Sequence, residues 1–238
     1  MFSSTASRVI ETLTQPTARG KQKRIGPSEL GSMCERCLAE KLLGVYAQDD
    51  KVNLAPIIGT AVHAYLESKL SEGAELLCET PVHVGEVRGY GPIKGTMDLF
   101  DTANAHALDF KVVGKKKLKD YTNAQKVSGD TVIFDNNSPI VSTLKQYWVQ
   151  LSLYSRGMEL LGHTVNTMSL MLIPRDDPIT DVRFAIKEIV FPYNRTVADK
   201  ALERASQIYE WATTHPDSLD QLESDSNCYH CKYTRWKD

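Results

Sequence analysis

Nothing in the 238-residue sequence approaches the roughly 18 consecutive apolar residues that a membrane-spanning helix needs. Its first residues, Met1-Phe2-Ser3-Ser4-Thr5-Ala6-Ser7, lack the basic stretch followed by an apolar one that marks a secretory signal. The chain therefore reads as soluble and intracellular. It also lacks an excess of one charge: the formal net charge is −2, so a polyanionic partner would have to be met by a local basic patch. Two patches qualify, Lys21, Lys23 and Arg24 near the start and Lys115, Lys116, Lys117 and Lys119 in the middle. No Gly-x-x-x-x-Gly-Lys-Ser/Thr loop is present, so any helicase-type motor would be a partner's. Internal repeats and low-complexity tracts are absent as well, and the apolar (42%) and charged (24%) fractions are those of an ordinary globular protein.

Cysteine is scarce but patterned. Four of the five cysteines form two Cys-x-x-Cys pairs, Cys34/Cys37 and Cys228/Cys231. In a chain without an export signal this spacing points to a bound metal rather than to disulfides. The pairs lie at opposite ends of the sequence, so one shared site would staple an N-terminal helix to the C-terminal tail. Cys78, after Leu76 and Leu77, reads as a buried apolar residue. His230, between the late cysteines, is expected to point outward.

Apolar periodicity and turn signals predict a short helix over 6–14 and one from Pro27 to about Gly44, with Ser28 as N-cap and the early cysteine pair inside it. A helix over 56–72 follows, then strands over 76–86, 91–101 and 105–113. Residues 114–140 read as a long polar loop. A helix over 142–161, strands over 166–173 and 182–191, and a helix over 194–213 complete an α/β order, a mixed β-sheet flanked by helices.

Chemistry concentrates on two adjacent strands. One ends Gly95-Thr96-Met97-Asp98; the next reads Ala107-Leu108-Asp109-Phe110-Lys111-Val112-Val113. Alternation puts Asp109 and Lys111 on one face and Phe110 on the other. A charged pair inside an apolar strand is costly to bury unless it binds something, although Asp109 and Lys111 alone read equally as a surface salt bridge on an edge strand. Joined by Asp98, two carboxylates and a lysine make a hard site suited to magnesium or manganese. His63, in Gly59-Thr60-Ala61-Val62-His63, offers a further ligand, with Glu67 one turn on as its partner; a packed core histidine is the competing reading. Gln150 and Tyr154, four apart on a helix, share a face with reach toward a phosphate, and Lys145 and Arg156 of that helix are candidates for tracking a nucleic-acid backbone. Tyr121 and Tyr147 are candidates for stacking on unpaired bases.

The ordered series His63, Gly95-x-x-Asp98, Asp109-x-Lys111 and Gln150-x-x-x-Tyr154 resembles the signature of RecB-family PD-(D/E)xK nucleases. The Pro27-Ser28-x-Leu30 opening followed by Cys34-x-Arg36 resembles the start of the CRISPR-associated Cas-four-type exonucleases and their phage-encoded relatives, and the likeness runs over about residues 26–235. It implies a restriction-endonuclease-like core over 56–191 within a single nuclease domain, 1–238. Segments 26–44 and 214–238 would form the cysteine-stapled part. It implies a Mg2+- or Mn2+-dependent DNA exonuclease of recombination, repair or end processing, working in the cytoplasm of a bacterium or phage-infected host, with a helicase or recombination protein as a possible partner. Asp98, Asp109 and His63 would be metal ligands together with the Phe110 carbonyl. Lys111 would serve the attacking water, and Gln150 and Tyr154 would position the strand or the lysine; Glu79 is a further acid. For Cys34, Cys37, Cys228 and Cys231 the resemblance implies a 4Fe-4S cluster, although those relatives usually carry one cysteine early and three late. A structural Zn2+ suits four thiolates equally. A non-catalytic DNA-binding protein stapled by zinc, or a structure-specific endonuclease, is the alternative reading.

Overall fold

The computed structural model describes residues 3–14, 24–46, 54–228, 230 and 231; Lys21 and Lys23 of the first basic patch lie outside them. Helices α1 (Ser4–Thr14), α2 (Pro27–Leu30), α3 (Glu35–Leu43) and α4 (Leu54–Leu70) precede strands β1 (Leu76–Val87), β2 (Gly91–Asp101) and β3 (His106–Val113). Helix α5 (Lys115–Asn123) and strands β4 (Gln125–Ser128) and β5 (Thr131–Phe134) lead to α6 (Val141–Leu160), β6 (Thr167–Pro174), α7 (Val182–Ala185), β7 (Lys187–Pro192) and α8 (Arg195–Thr214). A 3-10 turn over Pro216–Gln221 follows. No helix among the described residues is long and apolar enough to cross a membrane.

The main sheet has the order β1-β2-β3-β6-β7 and is mixed: only β3 and β6 run parallel. The principal core fills the face under α6 and α8, around Phe100, Met97, Leu151, Leu153, Met168 and Phe191. Each such side chain contributes roughly 1.5–3 kcal/mol on burial. On the opposite face Leu99, Leu108 and Phe110 form a smaller cluster with Leu66 and Leu70 of α4. This α/β architecture, a mixed sheet flanked by helices with four cysteines gathered from both ends of the chain, is the one expected from the sequence.

Several boundaries differ. The helix expected from Pro27 to Gly44 is two helices, because the chain turns at Gly31–Met33. Gly26, not Ser28, is the N-cap of α2, with Pro27 in its first turn and the Glu29 carboxylate accepting from the Gly26 amide at 2.9 Å. Cys34 becomes the N-cap of α3, and Gly44 ends that helix at φ 72°, a conformation that favours glycine. The predicted long loop holds α5 and a small hairpin; α5 carries little apolar periodicity because only Leu118 and Tyr121 bury its inner face. The last strand starts at Lys187, since a turn of helix capped by the Asp181 side chain occupies 182–185.

Candidate active site and four-cysteine site

The pairing of β2 with β3 runs from Asp101/His106 to Leu99/Leu108 and stops there, while β2 continues along β1 and β3 along β6. The sheet therefore splits at Asp98 and Asp109. Asp98 takes over from the missing ladder: its Oδ2 accepts the Phe110 amide at 2.8 Å. On the other side Cys78 pairs with Leu99 and Thr80 with Met97, which sets Glu79 across from Asp98. Glu79 has φ 43°, a left-handed conformation rare for a non-glycine residue and of the kind stored at functional sites.

His63 reaches the split from α4. Its Nε2 lies 3.1 Å from the Phe110 carbonyl, and its Nδ1 lies 3.6 Å from Asp98 and 3.7 Å from Glu79. That buried Nδ1 makes no hydrogen bond. Glu67, the partner expected for His63, is exposed on α4, and the polar groups beside the imidazole are Phe110, Asp98 and Glu79. Lys111 Nζ pairs with Asp109 at 2.6 Å and donates to Gln150 Oε1 at 3.3 Å, and Gln150 Nε2 donates to the Tyr154 hydroxyl at 3.3 Å. The ring of Tyr147 lies 4.8 Å below the Lys111 ammonium. His63, Asp98, Asp109, Lys111, Gln150 and Tyr154 thus all line one cavity of about 490 Å³.

Burial and the nearby Asp109 charge push the Asp98 carboxyl up to about 8, against relief from Lys111 and the Phe110 amide. For Lys111 burial acts to release the proton, but Asp109 and Asp98 outweigh it and hold the ammonium well above its ordinary range. Burial raises the Tyr154 hydroxyl to about 12, so it stays a donor. Ionising Asp98 at neutral pH therefore calls for positive charge beyond that of Lys111.

His63, Glu79 and Asp98 each present a ligand atom within 4.8 Å of the other two. With an unpartnered imidazole nitrogen between them, this donor set suits a divalent cation. Asp109 stands beside this group, engaged by Lys111. Glu79 is thus more central than its sequence context signals.

The wall of the cavity also explains two sequence pieces. A β-carbon on Gly95 would meet Tyr154 Cε1 at 2.7 Å and the Pro27 ring at 3.0 Å. Gly95→Ala should therefore cost about 1–3 kcal/mol in urea unfolding, with displaced tyrosine fluorescence. Gln146, one turn before Gln150, donates to the Ser28 carbonyl at 2.8 Å and ties α2 to α6. Lys94 and Thr96, on the Asp98 face of β2, line the same cavity; alternation along the strand points to both, yet neither stands out in sequence. Lys94 is exposed and pairs with no carboxylate among the described residues.

Other candidates are engaged by neighbouring groups. Arg156 is held by Asp199 at 2.9 Å and by the Val84 carbonyl at 2.6 Å, so it does not track a backbone. Lys145 donates to Asn136 at 2.8 Å. Tyr121 is 3% exposed beneath Tyr147 and is closed to base stacking.

Beside the first turns of α6, near Ser142 and Thr143, the four cysteines of the two pairs meet, all free of disulfides. Their sulfurs approach at 3.4 Å (Cys34–Cys231), 3.4 Å (Cys37–Cys228) and 3.5 Å (Cys37–Cys231). Contact with the Cys37 thiol lowers Cys34 to about 4, while burial among the other sulfurs raises Cys231 to about 12. Backbone holds the tail here as well: the amides of Glu35 and Arg36 donate to the Glu223 carbonyl, and Arg36 Nε to that of Leu222 at 2.7 Å. His230 does not point outward. It is 8% exposed, stacked on Tyr46 at 4.2 Å and 3.4 Å from buried Glu40.

No family model and no curated protein matches the sequence. Solved structures do match the fold. A phage-related exonuclease from Haemophilus somnus 129PT aligns with TM-score 0.54 and 12% identity, over 82% of this chain and 96% of its own. LHK-Exo, solved in complex with dAMP, aligns with TM-score 0.50 and 11% identity over 83% and 92%. A candidate exonuclease from Eubacterium rectale aligns with TM-score 0.50 and 12% identity over 100% and 95%. At these identities the likeness is one of fold: the mixed sheet and flanking helices of this chain are those of the exonuclease structures.

Proposed function

We propose that the chain is a Mg2+- or Mn2+-dependent deoxyribonuclease acting from DNA ends. The observation that carries this reading is the convergence of Asp98, Asp109 and Lys111 with His63 and Glu79 where the sheet splits, on a fold shared with exonuclease structures. His63, Asp98 and Glu79 would hold the cation, with Asp109 and the Phe110 carbonyl beside them. A cation held there would supply Lewis-acid polarisation of a phosphate and lower the pKa of a water.

Lys111, fixed between Asp109 and Gln150, presents an ammonium to the charge that builds on phosphorus. Gln150 and Tyr154 keep that ammonium from swinging to solvent. Lys94 at the cavity rim, with Lys116, Lys117 and Lys119 on the exposed side of α5, grips backbone phosphates and makes binding fall with salt. Residues 26–44 and 214–238 serve as the stapled flank of one nuclease domain built on 56–191. Recombination, repair or end processing beside a motor protein is the setting such chemistry suits.

Glu79→Gln tests the ligand set. Cation affinity should weaken by about 10- to 100-fold in calorimetric titration, while the apo protein melts much as wild type. Unchanged affinity would remove Glu79 from the site. Activity itself is tested by digesting end-labelled linear and closed circular DNA with Mn2+, Mg2+ or EDTA. Cation-dependent loss of the linear form with the circle spared supports the proposal. Cleavage of the circle would assign an endonuclease, and DNA binding without cleavage under either cation would leave a non-catalytic binding protein.

A further inference from the structure

The sulfur geometry does not fit the cluster that the sequence resemblance implies. In a four-iron cube each thiolate binds a different corner iron, so the four sulfurs stand well apart around the whole cube. Here three sulfur pairs lie at 3.4–3.5 Å and all four sulfurs fall within 4.8 Å of one another. One ion with bonds of about 2.3 Å in a tetrahedron sets its thiolates about 3.8 Å apart, within the range of 3.4 to 4.8 Å that the four sulfurs span. The approach is also far too long for a disulfide, whose sulfurs bond at about 2.05 Å.

We infer that Cys34, Cys37, Cys228 and Cys231 hold a single zinc ion in a closed tetrahedral thiolate site, and no iron–sulfur cluster. Local structure supports a compact site. Cys34 caps α3 and Cys37 sits in its first turn, so the pair forms one tight knuckle. The late pair closes from the opposite side, held by the backbone bonds of the tail to α3. Each end of the chain thus contributes two ligands. Among single ions, zinc binds ahead of ferrous iron in the usual affinity order and has no geometric preference opposing a tetrahedron.

This inference rests on the cysteines alone and stands or falls separately from the nuclease reading. The full chain, purified anaerobically without added metal, should contain one zinc per chain, no acid-labile sulfide and no visible absorption. Incubation with ferrous iron and sulfide, followed by desalting, tests whether zinc merely displaced a cluster during expression; iron should wash away. Cobalt exchange should give the intense visible bands of a tetrahedral thiolate site and bind one ion per chain. Retention of four irons with sulfide and a brown chromophore, before or after reconstitution, overturns the inference, as does a single tightly held iron in the protein as isolated.

Discussion

Replacing Asp98 by asparagine should abolish cleavage and make the cation-free protein harder to melt. The amide keeps an oxygen to accept the Phe110 N–H, now bonded at 2.8 Å, so the split in the sheet keeps its shape. What disappears is an ionisable carboxyl beside Asp109 and Glu79. Cleavage should fall on the order of 10³-fold, the scale of losing one charge-stabilising group in a desolvated site. Stability moves the other way without a cation. The folded carboxyl, raised by burial to about 8 from an ordinary 3.8, stays protonated while the unfolded one ionises. Its contribution is therefore intact below about pH 4 and lost as pH rises toward 8. In EDTA the variant should match wild type at pH 4, and its melting temperature should exceed wild type by several degrees at pH 8. Saturating Mn2+ should raise wild type and leave the variant nearly unmoved. Equal melting in EDTA at pH 8, or a variant that still cuts, would remove Asp98 from the centre of the site.

The legible part of this site is the part that breaks a local rule. Asp109 and Lys111 interrupt a run of Ala, Leu, Phe and Val, and a buried carboxylate is costly enough that its presence asks for a partner. Glu79 gives no such signal, because its place depends on a left-handed φ and on the register of β1 against β2. Lys94 and Gln146 share this obscurity: Lys94 is an ordinary exposed lysine that only the fold sets at the cavity rim, and Gln146 an ordinary polar residue until α2 packs against it. Arg156 fails in the opposite sense, since on a helical wheel it looks free, yet it spans from α6 to Asp199 and the backbone of β1.

Among elements, strands β1 to β3 were readable because turn residues punctuate them: Arg88-Gly89-Tyr90 and the Thr102–Ala105 turn bracket β2. Helix α5 was not, because Leu118 and Tyr121 are too few for a periodic signal beside Lys115, Lys116, Lys117 and Lys119. The break at Gly31 was hidden by continuous helical patterning on both sides. It places Cys34 outside helix, free to cap α3 and to face the late cysteines. His230 was misplaced for a related reason: spacing shows that it lies between ligands, but only the fold shows Tyr46 and Glu40 enclosing it.

Removing the ion from the four-cysteine site should unfasten both ends of the chain and, with them, one wall of the active-site cavity. The C-terminal tail meets α3 through a few backbone bonds, at Glu223 and Leu222, and Arg204 joins the same corner by donating to the Ser32 carbonyl at 2.8 Å. Those bonds contribute about 0.5–1.5 kcal/mol each, against roughly 10 kcal/mol of apparent binding free energy for a structural zinc in small peptides. The proposed ion would therefore decide whether the corner holds. A domain's whole stability is about 5–15 kcal/mol, so Cys37→Ser should lower the melting temperature by ten degrees or more. Cys78→Ser, in the small cluster under α4, should change it by only a few degrees. The consequence reaches the site because Cys34 lies four residues beyond Leu30, the end of α2, and Pro27 of α2 lies against Gly95 in the wall that Tyr154 also lines. Chelation should thus slow cleavage and expose Ser32–Cys34 and the segment after Gln221 to protease, and added Zn2+ should restore both. An ion-free protein that melts, resists protease and cuts like the loaded one would show that the cysteines staple nothing.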